Sequence, residues 1–206
     1  MEREEEYLRI CSELEVLIRE TGELLEGNCM YHHHSLEPWD RLLNKRKNYQ
    51  SIVKAKKAIC EIGFNAGHSV LAMILSNPDA QYVIFDLGAH LYSRPCFGYL
   101  REKFPHVNME IVWGDSRESL PKYHKDHLGI TFDVIHIDGG HKQEIYSADW
   151  KNSLNMCIAG SFLIFDDTDN KKINDFVDEE IQKGVAYEAD NFLETFGYEH
   201  RVLIKR

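Results

Sequence analysis

The chain has 206 residues, a formal net charge of −10 and a composition that is 43% hydrophobic and 28% charged. This length and apolar content predict a single globular domain over residues 1–206. The negative charge argues against nucleic acid as a partner, because phosphate binding requires an excess of Lys and Arg. Five scattered cysteines fit neither a disulfide framework nor a zinc site, and no apolar run is long enough to cross a membrane. We therefore expect a cytoplasmic protein.

Residues 1–57 are predicted to form a helical cap or lid. Within residues 3–26, five residues recur at helical spacing before the stop signal of Gly27-Asn28: Tyr7, Cys11, Leu14, Ile18 and Leu25. We expect this amphipathic helix to pack on the domain, with a contact in a homodimer as the alternative.

A loop and a polar helix are predicted between this first helix and Lys57. The loop carries His32-His33-His34, which we interpret as a surface or substrate-lid segment, because adjacent histidines cannot all face one ion. The basic residues from Arg41 to Lys57 are interpreted as a solvated helix face, and no chemistry is assigned to them.

From residue 58 onward, short apolar runs alternate with helical segments, which predicts a parallel sheet covered on both faces. The predicted strands are Ala58–Ile62, Tyr82–Asp86, Met109–Trp113, Phe132–Asp138 and Ser161–Asp166. The predicted helices lie near Ser69–Leu75, Pro95–Lys103, Ile145–Met156 and Lys172–Lys183. Two β-rich runs around Gly197, Asn191–Phe196 and Tyr198–Ile204, predict an antiparallel hairpin at the sheet edge. Residues 58–206 should thus form a doubly wound, mostly parallel α/β sheet of seven strands.

The turn after the first strand, Gly63-Phe-Asn-Ala-Gly67, is the candidate ligand-binding loop. It lacks the lysine of a nucleoside triphosphate loop and the middle glycine of a dinucleotide loop. Glu61 would also place negative charge near a diphosphate. These features favour a cationic cofactor without a phosphate.

The run Glu61-Ile-Gly-Phe-Asn-Ala-Gly67 and the strand-end residues Asp86, Asp115 and Asp138 resemble the motifs of class I S-adenosylmethionine (SAM) dependent methyltransferases. The resemblance implies that the loop contacts the amino-acid part of SAM and that Glu61 orients its ammonium group. It further implies that Asp86 accepts the ribose hydroxyls and that Asp115 and Ser116 contact adenine. The cofactor-binding residues implied in this way are Glu61, Gly63, Asn65, Gly67, Ser69, Asp86, Asp115, Ser116 and Asp138.

Asp138, Asp166 and Asp167 are predicted to converge at the tips of two neighbouring strands. Carboxylates this close repel one another unless a cation lies between them, and oxygen ligands favour Mg²⁺. The arrangement resembles metal-dependent O-methyltransferases of the catechol and macrolide sugar types. The alternative is that Asp166, Asp167 and Asp169 merely cap the helix that begins near Lys172.

His141 follows Asp138 closely and matches the proposed base of the sugar-modifying group, so the resemblance makes His141 and Asp138 the catalytic candidates. The loop residues also resemble a subgroup found in bacteria and large DNA viruses that includes glycan methyltransferases. A catechol enzyme typically has Asp-Asn where this chain has Asp166-Asp167, which favours a sugar hydroxyl, such as that of a terminal deoxysugar, as the acceptor. The alternatives are a catechol or other small natural product as acceptor, an NAD-dependent oxidoreductase, and a non-catalytic binding module.

Overall fold

The computed structural model describes residues 2–31, 36–189 and 200–206. Its strands are β1 (Ala58–Ile62), β2 (Gln81–Asp86), β3 (Asn108–Trp113), β4 (Phe132–Ile137), β5 (Cys157–Asp166), β6 (Ala186–Glu188) and β7 (His200–Lys205). Its α-helices are α1 (Glu2–Thr21), α2 (Leu43–Ile52), α3 (His68–Ser76), α4 (Ser93–Lys103), α5 (Ser116–Asp126), α6 (Gln143–Asn155) and α7 (Lys171–Gln182), and a short 3-10 helix, Asp40–Leu42, precedes α2.

The strands form one sheet in the order β3-β2-β1-β4-β5-β7-β6. The first five in this order run parallel, whereas β7 is antiparallel to both β5 and β6. The winding reverses between β1 and β4, and in open α/β sheets ligands bind at such a switch point, outside the carboxyl ends of the strands. The predicted fold, a Rossmann-like methyltransferase sheet with antiparallel strands at its C-terminal end, is confirmed.

The two faces of the sheet each bury an apolar layer. On β1, Ile59 packs into the layer that contains α1, α3 and α4, and Cys60 packs into the layer that contains α6 and α7. Side chains that alternate along a strand supply both layers, which explains why the central strands read as continuous apolar runs. Complete burial of one such aliphatic or aromatic side chain contributes about 1.5–3 kcal/mol.

The N-terminal helix packs inside the chain, as predicted. Tyr7, Leu14 and Ile18 are almost completely buried in the apolar layer that α3 and α4 also enter. The helix ends at Thr21, earlier than predicted, because Gly22 adopts a left-handed conformation with φ of 73°. None of the helices in the described ranges is long and apolar enough to span a membrane.

The C-terminal strands and one helix differ from the prediction in the described residues. Strand β7 pairs with β6 (Ala186–Glu188) on the side away from β5, and β6 precedes the predicted run Asn191–Phe196. The predicted run Asn191–Phe196 and the histidines at 32–34 lie outside the described residues. The sequence did not predict helix α5. Its buried face consists of only Leu120 and Tyr123, and Pro121 and many charged residues make the helical pattern weak.

Candidate active site

A cleft of about 830 Å³ opens at the carboxyl ends of β1 to β5. One side is built by the loops after the strands, which contribute Gly63, Asp86, Asp115 and Asp138. The other side is built by described residues of the N-terminal segment, among them Gly27, Tyr31, Trp39 and Lys45. The predicted strand-end residues are therefore brought to one cavity, at the switch point of the sheet.

The glycine loop owes its shape to contacts within the protein. Gly63 has φ of 98°, and a Cβ atom there would overlap the carbonyl oxygen of Asp138. Gly67 has φ of 86°, and a Cβ atom there would lie 2.6 Å from the ring of Phe64. Gly63 thus lets the loops after β1 and β4 approach each other, and Gly67 begins α3.

Asp86 holds the glycine loop from the neighbouring strand. Its Oδ2 atom accepts hydrogen bonds from the backbone N–H groups of Phe64 and Asn65, at 2.9 and 3.0 Å. Its Oδ1 atom accepts one from Gly88 at 2.6 Å. A carboxylate has about four acceptor positions, so Asp86 both fixes the loop and keeps acceptor capacity at the cleft wall.

Asn65 adopts a left-handed conformation with φ of 53°. Its side-chain amide donates to the carbonyl oxygen of Gly27 in the N-terminal segment. This contact ties the cap to the glycine loop across one end of the cleft, where both residues line the cavity.

Glu61 lies beneath the cleft. Its carboxylate accepts a hydrogen bond from Ser69 at the start of α3 and lies 3.0 Å from Nδ1 of His136 on β4. All three side chains are buried, and burial raises the pKa of Glu61. Glu61, Gly67 and Ser69 are not among the residues that line the cleft. They lie behind the glycine loop and hold it in place.

Asp115 and Ser116 mark the junction of β3 and α5. Asp115 accepts a hydrogen bond from the backbone N–H of Arg117 at 2.9 Å and so caps α5. The guanidinium group of Arg117 also contacts both carboxylate oxygens. Asp115 and Ser116 line the cleft at the predicted adenine end.

Asp138, Asp166 and Asp167 all line the cleft at the tips of β4 and β5, where the sequence predicts them to meet. The structure adds a cation that the sequence analysis did not assign: Nζ of Lys45, from α2, lies 2.6 Å from Oδ2 of Asp166. Although burial alone would raise it, the pKa of Asp166 is lowered by Lys45 and His136. Burial and the charges of Asp166 and Asp167 raise the pKa of Asp138 well above its usual range.

His136 extends this cluster into the sheet. Its Nε2 atom lies 3.7 Å from Oδ2 of Asp166, and its ring packs against Tyr49 of α2. Burial opposes protonation, yet Asp166 and Glu61 raise the pKa of His136 to about 10. Ligand atoms of His136, Asp138 and Asp166 all lie within 4.8 Å of one another.

His141 lies on the loop after β4 and lines the cleft with an exposed side chain. Its Nε2 atom is 2.6 Å from Oδ2 of Asp167, which follows β5 and has φ of 55°. The hydrogen bond with Asp167 raises the pKa of His141. The predicted capping role belongs elsewhere, because Asn170 caps α7 through the N–H of Lys172.

Sequence reasoning missed Lys45 and His136. Lys45 belongs to the basic stretch interpreted as a solvated face, but Lys45, Arg46 and Asn48 are buried there. The sequence did contain a signal for the burial of Lys45. The apolar residues Tyr49 and Ile52 follow it at a spacing that places all three on one face of a helix. His136 stands inside the apolar run Phe132–Ile137, where a titratable residue is unusual.

Residues 60–168, more than half of the chain, match the family described as methyltransferase domain. The protein therefore belongs to that family, and its fold is that of the class I, SAM-dependent methyltransferases. It is a methyltransferase, which decides against the oxidoreductase alternative. No curated protein matches the sequence.

Solved structures share this fold at low sequence identity. The O-methyltransferase from Bacillus cereus, in complex with SAH, superimposes with a TM-score of 0.69 at 16% identity, over 96% of this chain and 91% of that one. The O-methyltransferase TomG from Streptomyces achromogenes, involved in tomaymycin synthesis and in complex with SAM, gives a TM-score of 0.63 at 17% identity, over 95% and 89% of the two chains.

Proposed function

We propose that the protein is a SAM-dependent O-methyltransferase that methylates a hydroxyl group of a carbohydrate, such as a terminal deoxysugar of a glycan. The observation that carries the proposal is the His141–Asp167 pair, a base and its orienting carboxylate, placed in the same cleft as the glycine loop. Two structural neighbours named as O-methyltransferases are described with SAH or SAM, which is consistent with this cofactor.

The cleft fits the cofactor in size and in chemistry. Gly63, Asn65 and Asp138 would face its amino-acid part, Asp86 its ribose, and Asp115 and Ser116 its adenine. Glu61, Gly67 and Ser69 would act from below by holding the loop. When bound, SAM supplies a sulfonium methyl group, whose transfer forms a C–O bond as the C–S bond breaks and its electron pair stays on sulfur.

His141 is the proposed general base. Asp167 fixes the orientation of its ring and stabilises the imidazolium that forms when the acceptor proton arrives. A proton transfer of this kind contributes typically 10²–10⁴-fold to a rate. Additional acceleration comes from holding the acceptor oxygen in line with the methyl group, which is worth up to about 7–11 kcal/mol in well-oriented cases.

Many of the side chains that line the cleft are polar, which favours a sugar over a flat apolar acceptor. Charged and hydrogen-bonding side chains line it together with two aromatic residues: Arg41, Lys45, His141, Lys142, Asp167, Asp169, Tyr31 and Trp39. Several hydroxyl groups could each find a partner here, and the aromatic rings offer apolar faces to the ring C–H groups of a sugar. A catechol or other small natural product remains the second acceptor class in the assay below.

The sequence predicts Mg²⁺ at Asp138, Asp166 and Asp167, and the contacts of these residues show whether they are available as ligands. Asp166 is paired with Lys45, and Asp167 is paired with His141. Ligand atoms of His136, Asp138 and Asp166 are close together, but an ion among them would lie next to the positive charge of Lys45. In this arrangement the residues do not fit a resident divalent ion, and the proposed mechanism uses none.

We further propose that residues 1–57 act as a lid of the single domain. They contribute Gly27, Trp39 and Lys45 to the cleft wall, and Asn65 ties Gly27 to the glycine loop. A lid built from the N-terminal segment would exclude water from the transferring methyl group.

Two measurements test the proposed function. Calorimetry should show that the full chain binds S-adenosylhomocysteine and does not bind NADH. Turnover of SAM should then be measured with a panel of deoxysugar glycosides and catechols, and H141Q should reduce it at least about 100-fold with unchanged S-adenosylhomocysteine affinity. Absence of S-adenosylhomocysteine binding would refute the proposed methyltransferase activity. Turnover with catechols alone would refute the sugar acceptor.

A further inference from the structure

The side chain of Lys45 reaches the tips of the strands from outside the sheet. Lys45 is 7% exposed, and its Nζ atom lies 2.6 Å from Oδ2 of Asp166. It also lines the cleft. Burial of an ammonium group is unfavourable unless the group is paired with an opposite charge. Asp166 provides that charge for Lys45.

Three of the carboxylates in and below this part of the cleft each contact a basic side chain. Glu61 lies 3.0 Å from His136, Asp166 lies 2.6 Å from Lys45, and Asp167 lies 2.6 Å from His141. A divalent ion would therefore compete with these basic side chains for Asp166 and Asp167. An ion bound to Asp166 would lie beside the buried ammonium group of Lys45, which contacts Oδ2 of the same carboxylate.

We propose that Lys45 replaces the divalent cation of this site, so that methyl transfer in this protein does not depend on a metal ion. The inference rests on the proposed function, because it assigns the acceptor end of that same cleft. Lys45 is a positioning residue that holds Asp166 and presents a positive charge to the acceptor oxygen. A single charge there favours loss of the hydroxyl proton to His141, by the same attraction that a metal ion would exert.

The arrangement of α2 supports a fixed position for this ammonium group. On the same helix, the Tyr49 hydroxyl lies 3.4 Å from Oδ2 of Asp166, and Asn48 contacts Nε2 of His200 at 2.8 Å. His200 stands opposite Asp166 in the antiparallel pairing of β5 with β7. Lys45 therefore approaches Asp166 from a helix that is anchored to the strand tips at two further points.

The test uses Mn²⁺ as the probe, detected by electron paramagnetic resonance, with full-length protein and S-adenosylhomocysteine present. Wild type should show no saturable Mn²⁺ site, whereas K45M and K45Q should each gain one and bind Mn²⁺ at least tenfold more tightly. K45R should behave like wild type because it retains the charge. K47M is the matched control, since Lys47 is an exposed lysine on the same helix.

Turnover provides the second readout. Wild-type methyl transfer should be unchanged by a chelator, and K45M should lose at least tenfold in rate and regain part of it with added Mn²⁺ or Mg²⁺. A single tight Mn²⁺ site in wild type, or chelator-sensitive wild-type turnover, would overturn the inference. Both of these measurements use the wild-type protein, so they test the inference even if K45M does not fold. Failure to bind S-adenosylhomocysteine would instead refute the proposed function.

Discussion

The imidazole of His141 and the carboxylate of Asp167 meet between the tips of β4 and β5, with Nε2 2.6 Å from Oδ2. Asp167 raises the pKa of His141, and the nearby charges of Asp166 and Asp169 act in the same direction. The substitution D167N should therefore lower the pKa of His141. The acid limb of the rate profile should move to lower pH, while the maximal rate falls at least about tenfold.

Nuclear magnetic resonance titration of the His141 ring protons, assigned by their loss in H141Q, measures this shift without an acceptor. D169N is the matched control, because Asp169 lines the same cleft but contributes less to the pKa of His141. An unchanged His141 titration in D167N would show that the pair does not form in solution.

Strand positions could be predicted because local apolar runs determine them. Ala58–Ile62 was predicted with its observed bounds, and Phe132–Asp138 extends only one residue beyond the observed strand. The carboxylates at the strand ends could be predicted for the same reason, since parallel strands bring their carboxyl ends to one edge of the sheet.

The cations of the site could not be predicted in this way. Lys45 meets Asp166 only because α2 packs across the strand tips, a relationship set by tertiary packing and not by the spacing within either segment. Likewise, the role of Asp86 as the acceptor for the glycine loop depends on the register between β1 and β2, in which Glu61 pairs with Ile84.

The glycine at position 63 should be intolerant of any side chain. In G63A the new Cβ would overlap the backbone carbonyl oxygen of Asp138, in addition to the strain of a positive φ. Gly129 provides the control, since its φ of 91° is similar and a Cβ atom added there would meet nothing within 4 Å. We expect G129A to lower the free energy of unfolding by about 1–2 kcal/mol and G63A by at least about 2 kcal/mol more. Urea denaturation measures both, and equal losses would contradict this account of the loop.

The buried contacts of His136 with Asp166 and Glu61 should make stability depend on pH. The pKa of His136 is raised to about 10, so its contribution is complete below the unfolded-state value near ~6.5 and is lost as pH rises toward 10. The difference in unfolding free energy between wild type and H136Q should therefore shrink by at least about 1 kcal/mol over this range. H106Q, at an exposed histidine, should show no such trend. A constant difference between wild type and H136Q would mean that His136 is not charged in the fold.

Asp86 and Asp133 both accept backbone N–H groups, at opposite ends of β1. A comparison of their variants therefore distinguishes an effect on stability from an effect on cofactor binding. Asp86 accepts the N–H groups of Phe64 and Asn65 after the strand, and Asp133 accepts those of Lys57 and Ala58 at its start, at 2.7 and 3.1 Å. Replacement by Asn places an amide beside these donors, so D86N and D133N should each lower the free energy of unfolding by about 1–3 kcal/mol.

Only Asp86 lines the cleft, so only D86N should also weaken S-adenosylhomocysteine binding, by at least about tenfold, in calorimetry. D133N should bind it as wild type does, because Asp133 lies at the amino end of β4, whereas the cleft opens at the carboxyl ends of the strands. Equal affinities for D86N and wild type would show that the ribose end of the cofactor is held by other groups, and that Asp86 serves the loop alone.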